Sequence, residues 1–156
     1  MDSKLETYLR KNNISFAEYK HPPVFTVEES KKLKQEIPGM HCKCLFLKDE
    51  KNNFYIVALP AEKRLDTKKI RTFMNLKKLN FGSPEELKLF HLEPGSVSIF
   101  GAIYSNDVCL IIDKEIFEAS SAGFHPNINT STLVLSNKEL KRFYDSLKIK
   151  KYILAL

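Results

Sequence analysis

The 156 residues carry 25 Lys and Arg against 19 Asp and Glu, a formal charge of +6, and 43% are hydrophobic, including eleven Phe and six Tyr. A chain this long buries roughly 70% of the surface its unfolded form exposes, so one domain with its own core is expected, and five Gly and seven Pro argue against disorder. Apolar stretches fall far short of the ~20 residues that span a bilayer, and the Met-Asp-Ser-Lys start lacks the apolar segment of a secretory signal, which excludes a membrane role and points to the cytoplasm or an organelle.

Leu5, Tyr8 and Leu9 at i, i+3 and i+4 predict a first helix over 2–12, capped by Asp2 or Ser3. A short strand over 14–19 stops at Lys20-His21-Pro22-Pro23. Thr26 with Glu29 three residues on is a capping box for a helix to about residue 35. After an Ile37-Pro38-Gly39 turn, residues 41–47 read as a strand. Its period of two puts Cys42, Cys44, Phe46 and Lys48 on one face and His41, Lys43, Leu45 and Leu47 on the other. A polar loop over 49–53 leads to an apolar strand over 54–59, making a meander. Asp66 caps a lysine-rich helix through Met74 with Ile70, Phe73 and Met74 on its buried side, and 79–82 is a brief strand or turn.

Ser83-Pro84-Glu85-Glu86 starts a helix that ends near Leu89 or Phe90. A loop at Glu93-Pro94-Gly95-Ser96, an extended segment over 97–100 and a buried strand over 109–113 follow. A turn at Asp113-Lys114-Glu115 leads to 116–119, then a loop runs over 120–129. A strand over 132–135 precedes a last helix, capped by Asn137, over 138–147. The basic tail Lys148-Ile149-Lys150-Lys151-Tyr152 reads as solvated, or as a contact for RNA. The tally is about seven short strands among about four or five helices without regular alternation, so the expected class is mixed, mostly antiparallel α+β.

An odd count of three cysteines, at 42, 44 and 109, implies reduced thiols. Cys42 and Cys44 with His41 lack a second ligand pair at familiar spacing, and His41 points away from them, so no metal site is expected. Phosphate loops, zinc-protease helices and nucleophile elbows are absent from the sequence. The segment Gly123-Phe124-His125-Pro126-Asn127-Ile128-Asn129-Thr130 is unusually dense in directional polar groups. An ordinary surface turn and a ligand pocket both remain open for it.

His21-Pro22-Pro23-Val24-Phe25-Thr26-Val27-Glu28-Glu29 resembles the opening signature of the prolyl-tRNA editing, or YbaK-like, deacylases. Lys43-Cys44-Leu45-Phe46-Leu47-Lys48-Asp49, Lys63-Arg64-Leu65-Asp66, Gly82-Ser83-Pro84-Glu85-Glu86-Leu87, Gly95-Ser96-Val97-Ser98-Ile99-Phe100-Gly101 and residues 123–130 are similar to further blocks of that family in the same order. The likeness extends over nearly the whole chain, strongest to the single-domain alanyl-tRNA(Pro) deacylases. It implies the YbaK-like editing fold as a single domain over 1–156, and trans-editing hydrolysis of mischarged aminoacyl-tRNA(Pro), alanine foremost, with no metal or organic cofactor. The implied partners are the tRNA acceptor end and prolyl-tRNA synthetase, not DNA.

Residue by residue, the resemblance implies that the Lys43 ammonium holds a phosphate or ester oxygen near the terminal adenosine, and that the Gly95 loop, with Ser96, orients the attacking water. It also implies that Gly123, His125 and Asn127 line the amino-acid pocket and that His21, Pro22 and Pro23 shape its mouth. Taken alone, Lys43 also reads as a solvent-facing strand lysine, His125 as a turn histidine and His21-Pro22-Pro23 as a rigid connector. Two positions depart from the family pattern: Cys44 stands where it has Asn, and Ile99 where it has Pro. A thiol is only a weak donor in place of an amide, and Ile99 restores a backbone N–H. The alternatives these departures keep open are a non-catalytic module binding tRNA or a synthetase, and the same chemistry on a cysteinyl or seryl ester.

Overall fold

A computed structural model describes residues 1–23 and 26–156, with Val27 by its backbone; Val24 and Phe25 of the proline motif lie outside the described residues. Helix α1 (Ser3–Lys11) opens where the Asp2 carboxylate accepts the Leu5 N–H at 2.8 Å, and it buries Leu5 and Leu9. Ile14 is buried ahead of β1 (Ala17–Lys20) rather than inside it. Thr26 caps α2 (Val27–Glu36), its Oγ1 accepting the Glu29 N–H at 3.1 Å while donating to Glu29 Oε1 at 3.0 Å. The box is therefore closed between side chains. A hairpin of β2 (Met40–Asp49) and β3 (Phe54–Pro60) follows, then α3 (Thr67–Met74), β4 (Leu79–Phe81) and α4 (Pro84–Leu87), which starts from a complete Ser83–Glu86 capping box. The chain continues through β5 (Val108–Asp113), α5 (Lys114–Glu118), β6 (Ser121–Phe124), β7 (Ser131–Ser136), α6 (Asn137–Ser146) and β8 (Lys151–Leu154).

The eight strands join in one sheet of order β1-β7-β6-β2-β3-β5-β8, with β4 pairing the end of β2. The β1–β7, β2–β3, β2–β4 and β6–β7 pairs are antiparallel, and β2–β6, β3–β5 and β5–β8 are parallel. This is the mixed α+β class that the sequence predicts, but the meander ends after one hairpin because β5 returns parallel to β3. The faces of β2 divide as its alternation requires. Phe46 stacks on Phe54 at 5.3 Å and tilts against Phe90 at 5.4 Å in the larger core, while Leu47 joins Tyr55, Val57 and Ile70 in a smaller one. Of these, the buried Phe46, Phe90, Leu47, Val57 and Ile70 each contribute about 1.5–3 kcal/mol.

Several local readings are corrected by tertiary contacts. Residues 97–100 are not extended. The Ser98 Oγ accepts the Phe100 N–H at 3.0 Å and starts a 3₁₀ helix, Ile99–Ile103, that carries Ile99 and Phe100 into the core. The expected loop over 120–129 begins as β6, held between β2 and β7. Residues 116–119 mostly continue α5, capped by Asp113. Ser136, not Asn137, caps α6. Phe73 is 53% exposed and leans edge-on against Tyr152, because only Ile70 of its helix reaches full burial. The basic tail contains strand β8. Lys151 Nζ donates to the Tyr144 and Leu147 carbonyls at 2.7 and 2.6 Å, satisfying the end of α6.

Candidate active site

One edge of β2 is bordered by β3 over residues 42–48. The other edge is taken by β6 at Met40 and His41 and by β4 at residues 47–49. On that edge, between β6 and β4, residues 42–46 have no strand beside them among the described residues, and the Gly82 N–H donating to the Phe46 carbonyl at 3.0 Å closes the far end of the gap. A cavity of ≈ 190 Å³ opens here, lined by Cys42, Lys43, Cys44, Gly95, Val97, Phe124 and His125. Consecutive strand residues point to opposite faces, so three in a row reach one cavity because it opens at the strand's edge.

Lys43 is half-buried, and among the described residues it makes no ion pair or side-chain hydrogen bond. Other partly buried lysines are engaged. Lys48 pairs with Glu86 at 3.0 Å, and Lys63 pairs with the fully buried Asp113 at 2.8 Å and with Glu115 at 3.0 Å. Gly95, which lines the same cavity, lies in an exposed turn closed by the Ser96 N–H and hydroxyl, which donate to the Glu93 carbonyl at 3.1 and 3.2 Å. Its φ of +90° is the left-handed conformation glycine adopts without strain.

His125 completes the wall. Its Nδ1 lies 2.9 Å from the Ser131 carbonyl, which can only accept, so Nδ1 carries the hydrogen and Nε2 keeps a free lone pair. Burial pushes the His125 pKa down, the Ser131 carbonyl opposes this, and the nearby His21 adds to the depression. The ring is therefore neutral at pH 7. His21, with its ring 6.0 Å away, is fixed at both nitrogens: Nδ1–H donates to the Pro22 carbonyl at 2.9 Å, and Nε2 accepts from the Thr132 hydroxyl at 2.9 Å.

Lys43, Cys44, Gly95 and His125 of the predicted residues thus meet in one cavity. Gly123 lines an adjoining cavity of ≈ 120 Å³ that shares Cys42, Phe124 and His125 and adds His41, Leu33 and Thr132. His21 and Pro22 line a separate depression with Glu29 and Lys32, while Pro23 lines none of these. Ser96 closes its own turn, Ile99 is fully buried in the core, and Asn127 is buried against Ser98, so none of the three lines either cavity. Val97, Phe124 and Thr132 were not singled out by sequence. Phe124 stood inside a recognised motif, but nothing marked Thr132, which is placed by its pairing with Tyr19.

Burial pushes the Cys44 thiol up to about 12, with the Ile99 backbone N–H pulling the other way, and burial raises Cys42 as well. Both are protonated at neutral pH, so neither is poised as a nucleophile. The described cysteines are free thiols, and no three metal-ligating side chains cluster among the described residues. No helix among the described residues is long and apolar enough to cross a membrane. The cavity therefore brings together an ammonium with no partner among the described residues, a glycine backbone and a neutral imidazole. Such a set can bind an anionic group and position water.

Residues 21–143 match the aminoacyl-tRNA editing domain family. The prolyl-tRNA editing protein ProX of Acetoanaerobium sticklandii is 33% identical over 133 residues, covering 83% of this chain and 81% of that protein. The prolyl-tRNA synthetase associated domain-containing protein 1 of Danio rerio is 25% identical over 97% of this chain and 85% of its own length. Among solved structures, that of a candidate trans-editing enzyme for prolyl tRNA synthetase superposes with a TM-score of 0.74 at 16% identity, covering 100% of this chain and 99% of that one. The hypothetical protein APE2540 superposes at 0.78 with 18% identity, over 97% and 98% of the two chains; both likenesses concern the fold.

Proposed function

This chain belongs to the aminoacyl-tRNA editing domain family and is an aminoacyl-tRNA deacylase, and from that premise we propose that its 156 residues act as one trans-editing domain that hydrolyses mischarged tRNA(Pro), alanine being the acyl group. The observation that carries this reading is the convergence of Lys43, Gly95 and His125, from three distant segments, on one cavity of ≈ 190 Å³. In this reading the Lys43 ammonium holds a phosphate or ester oxygen of the terminal adenosine. The Gly95 backbone orients water for attack on the ester carbonyl. The acyl C–O bond breaks, a proton passes to the ribose oxygen, and alanine and free tRNA leave.

An aminoacyl ester is already activated, so positioned water and stabilised charge suffice without a protein nucleophile, which agrees with the protonated thiols. A synthetase gains only ~1–3 kcal/mol of discrimination from a missing methylene, so a second, hydrolytic site supplies the remainder. Prolyl-tRNA synthetase is the partner this division of labour calls for, and the +6 charge favours the tRNA acceptor end with an affinity that falls as salt rises.

The test is single-turnover hydrolysis of alanyl-, seryl-, cysteinyl- and prolyl-tRNA(Pro). Faster loss of alanine than of the other three supports the reading. Preference for serine or cysteine replaces the acyl assignment, and tRNA binding without hydrolysis of any ester leaves a binding module.

A further inference from the structure

The two loops that contribute Gly95 and His125 to the cavity are tied together by a buried bond outside its lining. Ser98, fully buried, donates its hydroxyl to Asn127 Oδ1 at 2.9 Å, across 29 residues of sequence. Ser98 follows Val97, and Asn127 lies two residues beyond His125, so the bond joins the two segments whose neighbouring residues line the cavity. Each partner is itself fixed. The Ser98 Oγ also accepts the Phe100 N–H at 3.0 Å, and Asn127 Nδ2 donates to the Tyr104 hydroxyl at 3.4 Å. Tyr104 in turn donates to the Asp2 carboxylate that caps α1. Asn127 holds a φ of +64°, a left-handed conformation that Asn tolerates better than most residues.

We propose that Asn127 and Ser98 are positioning residues, a buried bolt that fixes the separation of the Gly95 and His125 loops and thereby the rate and acyl selectivity of deacylation. The role in catalysis rests on the deacylase reading above; the bolt itself does not. Neither side chain lines the cavity, so both act through the loops they join.

The experiment compares wild type with Asn127→Gly and Asn127→Asp in the full chain. Glycine suits the +64° backbone, so Asn127→Gly removes the side chain without adding backbone strain. Asn127→Asp keeps an oxygen to accept from Ser98. Asn127→Gly is expected to lower kcat on alanyl-tRNA(Pro) about tenfold or more with a smaller change in KM, to narrow the preference for alanine over proline, and to speed hydrogen exchange of the backbone amides at 95–101. Asn127→Asp is expected to restore selectivity and slow exchange.

A fall in Tm for Asn127→Gly with kcat, selectivity and exchange unchanged would overturn the proposal, as would Asn127→Asp behaving like Asn127→Gly. If wild type hydrolyses no ester, the deacylase reading fails, and exchange at 95–101 alone decides whether the bolt exists.

Discussion

The two ends of β2 are built from similar residues to opposite purposes. At its far end, the buried Asp49 carboxylate accepts hydrogen bonds from the backbone N–H groups of Lys51 and Asn53, the Asn53 side chain and the Tyr55 hydroxyl, while Lys48 pairs with Glu86. At its near end, among the described residues, Lys43 has no such partner, His125 keeps a nitrogen without a hydrogen-bond partner, and no strand pairs the edge between β6 and β4. Satisfied polar groups hold a fold together, whereas groups left free are available to a ligand. Under the proposed reading, the contrast separates a structural from a catalytic use of the same strand.

The largest effect on stability is expected at the satisfied end. Burial pushes the Asp49 pKa up, but the Asn53, Tyr55 and Lys51 donors outweigh it and hold the carboxyl below its ordinary value. A depressed folded pKa gives stability that is fully present above the unfolded value near ~3.9 and is lost as pH falls through the folded one. Asp49→Ala should cost about 3 kcal/mol in urea unfolding, with a shallower acid dependence than wild type and with single-turnover deacylation unchanged. A loss of activity at equal folded fraction would break the division between the two ends.

Gly95→Ala comes next. An added Cβ meets nothing within 4 Å, so its effect is confined to forcing a side chain into a φ of +90°, about 1–2 kcal/mol. The expected outcome is a modest fall in Tm and a larger fall in kcat, as the turn relaxes away from the cavity. An unchanged kcat would remove Gly95 from the site.

Because burial holds His125 neutral, deacylation corrected for the uncatalysed reaction should show no inflection from His125 between about pH 8 and pH 6.5 and fall only below that range. Loss of that acid limb in His125→Gln would assign it to this ring, and an identical limb would assign it elsewhere. The smallest effect belongs to Lys48→Ala, which removes a partly exposed pair with Glu86 worth about 0–1 kcal/mol, read as a small shift in the urea midpoint.

Local chemistry made much of this fold legible. Asp2, Thr26, Asp66 and Ser83 cap helices where their spacing predicts, and the alternation through Cys42, Cys44 and Phe46 assigns the faces of β2. Features set by distant partners escaped. β6 exists because β2 and β7 flank it, and β8 hides in a run of lysines because its ladder is supplied by β5. The site divides in the same way. Lys43, Gly95 and His125 stood in motifs, while the Ser98–Asn127 and His21–Thr132 bonds join residues 29 and 111 positions apart that no local pattern connects.

Whether Lys43, which has no ion pair or side-chain hydrogen bond among the described residues, marks the deacylation site is decided by comparing Lys43→Ala with Lys48→Ala in single-turnover hydrolysis of alanyl-tRNA(Pro). The expected result is a loss of about a hundredfold or more in Lys43→Ala with its urea midpoint unchanged, and wild-type rates in Lys48→Ala. Equal rates in the two variants would place the deacylation site away from Lys43.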